Sequence, residues 1–349
     1  MRARTHLLLS AVLAAALGAR AEMRFEPLGE PQEFAVGFHG HKLALRRWAP
    51  AAEATGLLLV HHGGGWHSGY YDEMGRGLAA AGYEVLAFDA AGHGFSEGPG
   101  GLTYIRKTSD LVDDLRKLLA EEKAKRPGLP IILYGESQGA VQVTALAAEN
   151  DPNVSALVVS AGLFKLAPKT APPALVVWLI QHLGVLFPRQ RVTLKELDDT
   201  FDSAFGDPRW AAAARKDPRI VVNQFYLGSS SQMLKALSRI MTTAPKISDI
   251  PVYVQHPEFD TRTDSRAAKA WFEQVSSSDK TLRMYPDASH QMFQDSEANV
   301  RRVTTDLASW LDARFRSGTS ATPDPSEEGA PESPEAQGSP DAQPPSPEL

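Results

Sequence analysis

The segment Gly135-Glu136-Ser137-Gln138-Gly139 constrains the fold of this chain more than any other. A short apolar run, Ile131-Ile132-Leu133-Tyr134, precedes it, and the helix-forming stretch 140–148 follows. In a strand–turn–helix setting this Gly-x-Ser-x-Gly pattern is a nucleophile elbow: a tight turn lifts one serine above the sheet edge, and flanking glycines leave the room. The pentapeptide alone is a weak signal, because Ser and Gly are ordinary turn residues. A chemical role for Ser137 therefore requires a base, an orienting acid and oxyanion donors elsewhere in the chain, in a compatible order.

The rest of the chain supplies a matching scaffold. Strand-like runs fall at 34–38, 42–48, 57–61, 84–88, 131–134, 156–160, 252–256 and 281–285. Helical patterns fall between most of them, at 71–81, 108–126, 140–150, 265–274 and 296–315. This alternation predicts an eight-stranded, mostly parallel α/β sheet covered by helices on both faces. The first two strands have no helix between them and are expected to form an antiparallel hairpin at one edge. From about 164 to 245 no strand pattern is visible, which predicts a helical cap inserted after the sixth strand. Its apolar stretch 174–187 is shorter than the ~20 residues of a bilayer span. Two readings stay open for it: a buried helix of the cap, or an apolar lid that lines an acyl pocket or touches a lipid surface. A position over the carboxyl ends of the strands favours the lid.

Both ends differ from this core. Residues 1–21 combine a basic start, an apolar run at 7–18 and Ala19-Arg20-Ala21, the layout of a secretory signal peptide cut after Ala21. An uncleaved anchor ranks second. Residues 317–349 are rich in Pro, Ser and Glu with no aromatic or basic residue, so a disordered tail is expected. An exported protein, periplasmic or secreted, follows from the first reading. The net charge of the 349-residue chain is −6; seven acids in the tail and three arginines in the leader leave −2 on residues 22–316. Such a core has no electrostatic footprint for nucleic acid. The absence of cysteine excludes disulfides, thiolate catalysis and cysteine-bound metal.

Two further sites complete the constellation. The run 252–256 ends in a loop carrying Asp260, and the run 281–285 ends in a loop carrying His290. The order Ser137, Asp260, His290 is the Ser–acid–His order of α/β-hydrolases. Asp264 is the reserve candidate for the acid, since Asp260-Thr261-Arg262-Thr263-Asp264 offers two carboxylates. Oxyanion donors are expected from the backbone N–H groups of Gln138 and of Gly64, the latter in His61-His62-Gly63-Gly64-Gly65-Trp66. A metal cluster of His61, His62 and His67 is disfavoured, because adjacent strand residues point to opposite faces. His93, in Asp89-Ala90-Ala91-Gly92-His93-Gly94-Phe95-Ser96, and Glu136 read as packing residues.

These motifs, with His67-Ser68-Gly69-Tyr70-Tyr71 after the glycine loop and Gly98 after Ser96, resemble the monoacylglycerol lipase and lysophospholipase branch of the α/β-hydrolases, which is related to the serine aminopeptidase-like group. The resemblance runs from about 34 to 315. It implies an eight-stranded fold with a helical cap after strand six, with Ser137 as nucleophile, Asp260 as orienting acid, His290 as base, and Gly64 and Gln138 as oxyanion donors. The chain departs from the family at Gln138, commonly Met, at Pro257, commonly Gly, and most widely in the cap. The implied activity is cofactor-free hydrolysis of a small single-chain acyl ester, such as a monoacylglycerol or lysophospholipid. Transient lipid contact through the cap is expected with it. The rivals are an exopeptidase or amidase, for which Glu196, Asp198, Asp199 and Asp202 offer acids to hold an amino terminus, and a silent binding protein. Dehalogenase and epoxide hydrolase chemistry is disfavoured because it needs a carboxylate at position 137.

Overall fold

Four successive apolar residues, Leu57, Leu58, Leu59 and Val60, are all buried in β3 (Gly56–His61). A strand can bury consecutive residues only if both sheet faces are covered, since neighbouring side chains point to opposite sides. Leu57 and Leu59 join one hydrophobic cluster, and Leu58 and Val60 the other. The computed structural model describes residues 23–316 apart from 194 and 222. The signal-peptide and tail readings, 1–21 and 317–349, thus lie outside the described residues.

Around β3 the main sheet contains β1 (Glu33–Val36), β2 (Lys42–Trp48), β4 (Tyr83–Phe88), β5 (Ile131–Glu136), β6 (Ala156–Ser160), β9 (Val252–Pro257) and β10 (Lys280–Tyr285). The spatial order is β1-β2-β4-β3-β5-β6-β9-β10. β2 is antiparallel to both β1 and β4, and the remaining pairs are parallel. This is the expected α/β-hydrolase fold with its edge hairpin. The first strand ends at Val36, short of the expected 38, because the chain turns there: the Gly37 N–H donates to the His41 carbonyl at 2.8 Å.

One face is covered by α1 (Asp72–Ala80) and α9 (Glu297–Phe315), whose Met74, Leu78, Val303 and Leu307 are buried. The other is covered by α2 (Thr108–Lys125), α3 (Gly139–Ala147) and α8 (Ser265–Gln274), through Leu115, Val143 and Trp271 among others.

Between β6 and β9 lies the cap: α4 (Ala174–Leu186), β7 (Arg191–Thr193), α5 (Lys195–Asp199), α6 (Pro208–Lys216), β8 (Gln224–Tyr226) and α7 (Leu227–Ile240). The sequence reading saw no strand here, and the structure corrects it: β7 and β8 pair antiparallel, Val192 opposite Phe225. Three residues per strand are too few to show a two-residue period. The buried-helix reading of 174–187 is also corrected. α4 buries only Ile180 and Gly184, packs on α7, and exposes Leu175, Trp178, Val185 and Leu186. No helix among the described residues is long and apolar enough to cross a membrane.

Candidate active site

Ser137 sits between β5 and α3 with φ +50°, in the left-handed region where non-glycine residues store ~1–3 kcal/mol of strain. Its backbone is pinned on three sides. The N–H donates to the Ser160 carbonyl at 3.0 Å, and the carbonyl accepts from Leu163 at 2.9 Å and Ala140 at 3.1 Å. A Cβ on Gly139 would collide with the His61 and His62 carbonyls, and one on Gly135 with Val143 and the Gly139 carbonyl. Both glycines of the pentapeptide are thus sterically required, and they let α3 start directly against the end of β3.

The loops after β10 and β9 bring the other two residues to Ser137. His290 Nε2 lies 3.1 Å from Ser137 Oγ, and His290 Nδ1 lies 2.8 Å from Asp260 Oδ2. Asp260 is buried and also accepts from the Arg262 N–H at 2.7 Å, the Thr263 N–H at 3.1 Å and the Thr263 hydroxyl at 2.7 Å. Burial alone would raise its pKa, but the charge and hydrogen bond of His290, with these donors, hold it well below the usual carboxylate range. An anionic Asp260 keeps the proton of a neutral His290 on Nδ1 and leaves Nε2 free to accept from Ser137. His256, 3.5 Å from Asp260 Oδ2, is pushed down to about 4 by burial and stays neutral at pH 7.

Asp264 is not brought to His290. It caps α8, accepting from the Arg266 N–H at 3.1 Å and pairing with the Arg266 guanidinium at 3.0 Å. The sequence reading did not single out Asp295. It is buried and accepts from the Ser289 N–H and hydroxyl, both at 2.7 Å, and from Asn299 Nδ2 at 2.9 Å, fixing the loop that carries His290. It looked like any acid before a helix; only its proximity to His290 in the chain marked it.

The glycine loop abuts this site. A Cβ on Gly63 would stand 3.2 Å from the Ser137 Cβ. Neither the Gly64 N–H nor the Gln138 N–H has an acceptor among the described residues. His62 braces the loop: its Nδ1 donates to the Gly63 carbonyl at 2.7 Å and its Nε2 accepts the Ala90 N–H at 2.9 Å. Those bonds fix a neutral tautomer, and burial pushes the His62 pKa well down. His61 is likewise lowered to about 4 by burial. His67 instead pairs with Asp217 of the cap at 2.9 Å. Beside the loop opens a cavity of about 160 Å³ between the strand ends and the cap, walled by Gln138, Leu163, Ile180, Leu197, Phe225 and Leu237.

Glu136 is buried beside Ser137. Burial pushes its carboxyl from the ordinary 4.5 up to about 7, and His290 pulls it back only in part. Folding therefore favours the protonated form. Stability is full below about 4.5 and falls as pH rises toward about 7, with no further loss above. Glu136→Gln is expected to escape that loss. Its stability relative to the parent should grow by about 3 kcal/mol over this range, read from urea unfolding at both ends. A difference independent of pH would contradict the burial of an ionisable group here.

A Ser–acid–His order on an eight-stranded, mostly parallel sheet, with a helical cap after the sixth strand of that sheet's chain order, defines an α/β-hydrolase. Residues 52–297 match the family described as serine aminopeptidase, S33, and the chain belongs to that family. It is 28% identical to human monoglyceride lipase over 82% of this chain and 92% of the relative. It is also 28% identical to the monoacylglycerol lipase of Mycolicibacterium smegmatis, over 79% and 95%. Among solved structures, a soluble variant of the Saccharomyces cerevisiae monoglyceride lipase in complex with a substrate analogue superposes with a TM-score of 0.72. It is 24% identical, over 84% of this chain and 98% of that one. The resemblance read from the motifs is borne out by these matches.

Proposed function

We propose that the protein hydrolyses carboxylic esters of single acyl chains, of the monoacylglycerol type, through an acyl-enzyme on Ser137. The observation that carries this reading is the hydrogen-bonded series Ser137–His290–Asp260 beside an apolar cavity. Ser137 Oγ attacks the ester carbonyl while His290 Nε2 takes its proton. Asp260 holds the imidazole and stabilises its cation. The N–H groups of Gly64 and Gln138 receive the oxyanion, and their fixed backbone dipoles need no reorganisation when charge develops. His290 then protonates the departing alcohol, activates water, and returns the proton to Ser137 as the acyl group leaves. The names of the relatives support an acylglycerol as the ester.

The peptidase reading finds less support in the cap. Asp198 and Asp202 are both engaged by Arg215, at 2.9 and 2.7 Å, and Asn223 donates to the second oxygen of Asp198 at 3.0 Å. Both carboxylates are thus engaged by the one Arg215 guanidinium instead of being held for an amino terminus. A panel of acyl esters of rising chain length beside aminoacyl anilides separates the two. The expected result is a kcat/KM at least about 100-fold higher for the best ester, a gap of ~3 kcal/mol in transition-state binding. Faster anilide cleavage would reverse the reading.

We also read α4 as the part of the cap that meets a lipid surface. Its apolar side chains cluster on the outer side, with Trp178 53% exposed, while Ile180 reaches the cavity wall. An exposed apolar patch of this kind is a usual mark of lipid or protein contact. Adding phospholipid vesicles should blue-shift the emission of the protein, and Trp178→Phe should remove most of the shift. No shift in the parent would refute the contact.

A further inference from the structure

Arg262 joins the acid of the site to the cap. Its N–H donates to Asp260 Oδ1 at 2.7 Å, the shorter of two backbone bonds to that oxygen; the Thr263 N–H stands at 3.1 Å. Oδ2 of the same carboxylate meets His290 Nδ1 at 2.8 Å. The backbone at 262–263 therefore aims the carboxylate that orients the imidazole. Arg262 is itself held by the cap at two points. Its carbonyl accepts from the Ala167 N–H at 3.0 Å and from the Thr170 hydroxyl at 3.2 Å. Its Nη1 reaches the end of α5 and donates to the Leu197 carbonyl and the Thr200 hydroxyl, both at 2.9 Å. Burial lowers the pKa of this guanidinium, and the charge of Asp260 opposes the shift. Desolvating a cation is costly, and two neutral acceptors offset that less than a carboxylate would. What the cation secures here is position.

The same stretch of the cap reaches the loop of the base. The Gln291 N–H, next to His290, donates to the Ala204 carbonyl at 2.8 Å. Thr261, next to Asp260, exchanges hydrogen bonds with Ser203 at 3.2 and 3.3 Å. Phe201 and Ala204 are buried in one core cluster, and Leu197 walls the cavity. Residues 197–204 thus form a strap that touches the acyl cavity, the acid loop and the base loop. Thr261 is its exposed fastening on the acid loop, and Arg262 its partly buried one.

We infer that Arg262 is a positioning residue: anchored on the cap through Leu197 and Thr200, it fixes the backbone that aims Asp260 at His290, so that the seating of the cap governs the chemical step as well as the binding of the acyl chain. This rests on the ester-hydrolase reading for the reaction served. Errors of aim are costly in such a series, where a misplacement of about 1 Å costs about 100-fold. A smaller loss is expected here, because the two Thr263 donors stay on Asp260.

The test uses the full chain and two readouts. One is the rate at which Ser137 is labelled by a fluorophosphonate bearing only short alkyl groups, which makes little use of the acyl wall. The other is hydrolysis of decanoyl monoglycerol. Arg262→Met keeps the length of the side chain and removes its cation and donors. It is expected to slow labelling by about 10-fold and to lower kcat by a similar factor, with KM changed by less than about threefold. Arg262→Lys keeps a cation with donors for both acceptors, and should label within about threefold of the parent rate. Thr200→Val removes one anchor. It should slow labelling by about threefold in the parent and add nothing to Arg262→Met, as coupled groups do in a double-mutant cycle. Thr200→Val decides alone if the thermal midpoint shows that Arg262→Met does not fold. Labelling at the parent rate with a raised KM would make Arg262 a part of the cap wall only, and would overturn the inference. Additive effects of Arg262→Met and Thr200→Val, or parent-rate labelling of Thr200→Val, would overturn it too. A parent that labels at Ser137 and hydrolyses no acyl ester would refute the ester-hydrolase reading alone, with the labelling ratios still deciding on Arg262.

Discussion

Ser137→Ala is expected to lower kcat for acyl-ester hydrolysis by about 10⁴-fold or more, with KM changed by less than about threefold. The substitution removes the atom that would form the acyl-enzyme, and it leaves the apolar cavity and the two backbone N–H groups in place. The small KM change follows because Oγ meets the ester carbonyl closely only as the bond forms. Alanine at this position also carries the φ of +50°, so the turn keeps its strain and the same three backbone hydrogen bonds hold it. A thermal midpoint near that of the parent would show that the loss is chemical. Retention of more than about a tenth of the parent rate would mean that some other group attacks the ester, and would remove Ser137 from the mechanism.

The second large effect concerns the acid. Asp260→Asn should cost about 10⁴-fold in kcat, because the amide cannot hold the imidazole tautomer or stabilise its cation. Asp264→Asn should change kcat by less than about threefold. Asn caps helices about as well as Asp, and the bridge to Arg266 runs to a largely exposed guanidinium, which keeps its worth small. The contrast is sharp because the two carboxylates stand four positions apart in one loop. One is buried 2.8 Å from His290 Nδ1; the other is the N-cap of α8, its carboxylate accepting from the Arg266 N–H. A larger loss at Asp264 would reassign the acid. Loss of the Asp260 carboxylate also removes the acceptor for the Arg262 and Thr263 N–H groups. Asparagine keeps one acceptor oxygen for them, which makes it a better probe than alanine.

The sheet was readable from the chain because its central strands are covered on both faces. Runs such as Leu57–Val60 and Ile131–Tyr134 are continuously apolar, bounded by turns, and regularly separated by helical patterns. The positions of Ser137, Asp260 and His290 were readable for a related reason: each follows the carboxyl end of a strand, so their order along the chain maps onto one edge of the sheet. The cap was less readable. Two strands of three residues carry no measurable period. α4 is apolar on all sides, so nothing in its sequence separates the side that meets the cavity from the side that meets solvent.

Choosing between Asp260 and Asp264 required the backbone of the loop, because both residues lie in the segment between β9 and α8. Contacts that tie the cap to that loop join positions far apart, such as Thr170 to the Arg262 carbonyl and Arg262 Nη1 to the Leu197 carbonyl. Such pairs have no local signature.

The central claim is that Ser137 is a nucleophile made reactive by His290 and Asp260. A fluorophosphonate tests it directly, since it phosphonylates a serine only where a base takes the proton and donors receive the oxygen. The purified protein should label to one equivalent, with the adduct mapped to Ser137, and Ser137→Ala should abolish the label. His290→Ala should slow labelling by about 10³-fold or more. Folded protein that takes no label, or that takes it at a residue other than Ser137, would contradict the account.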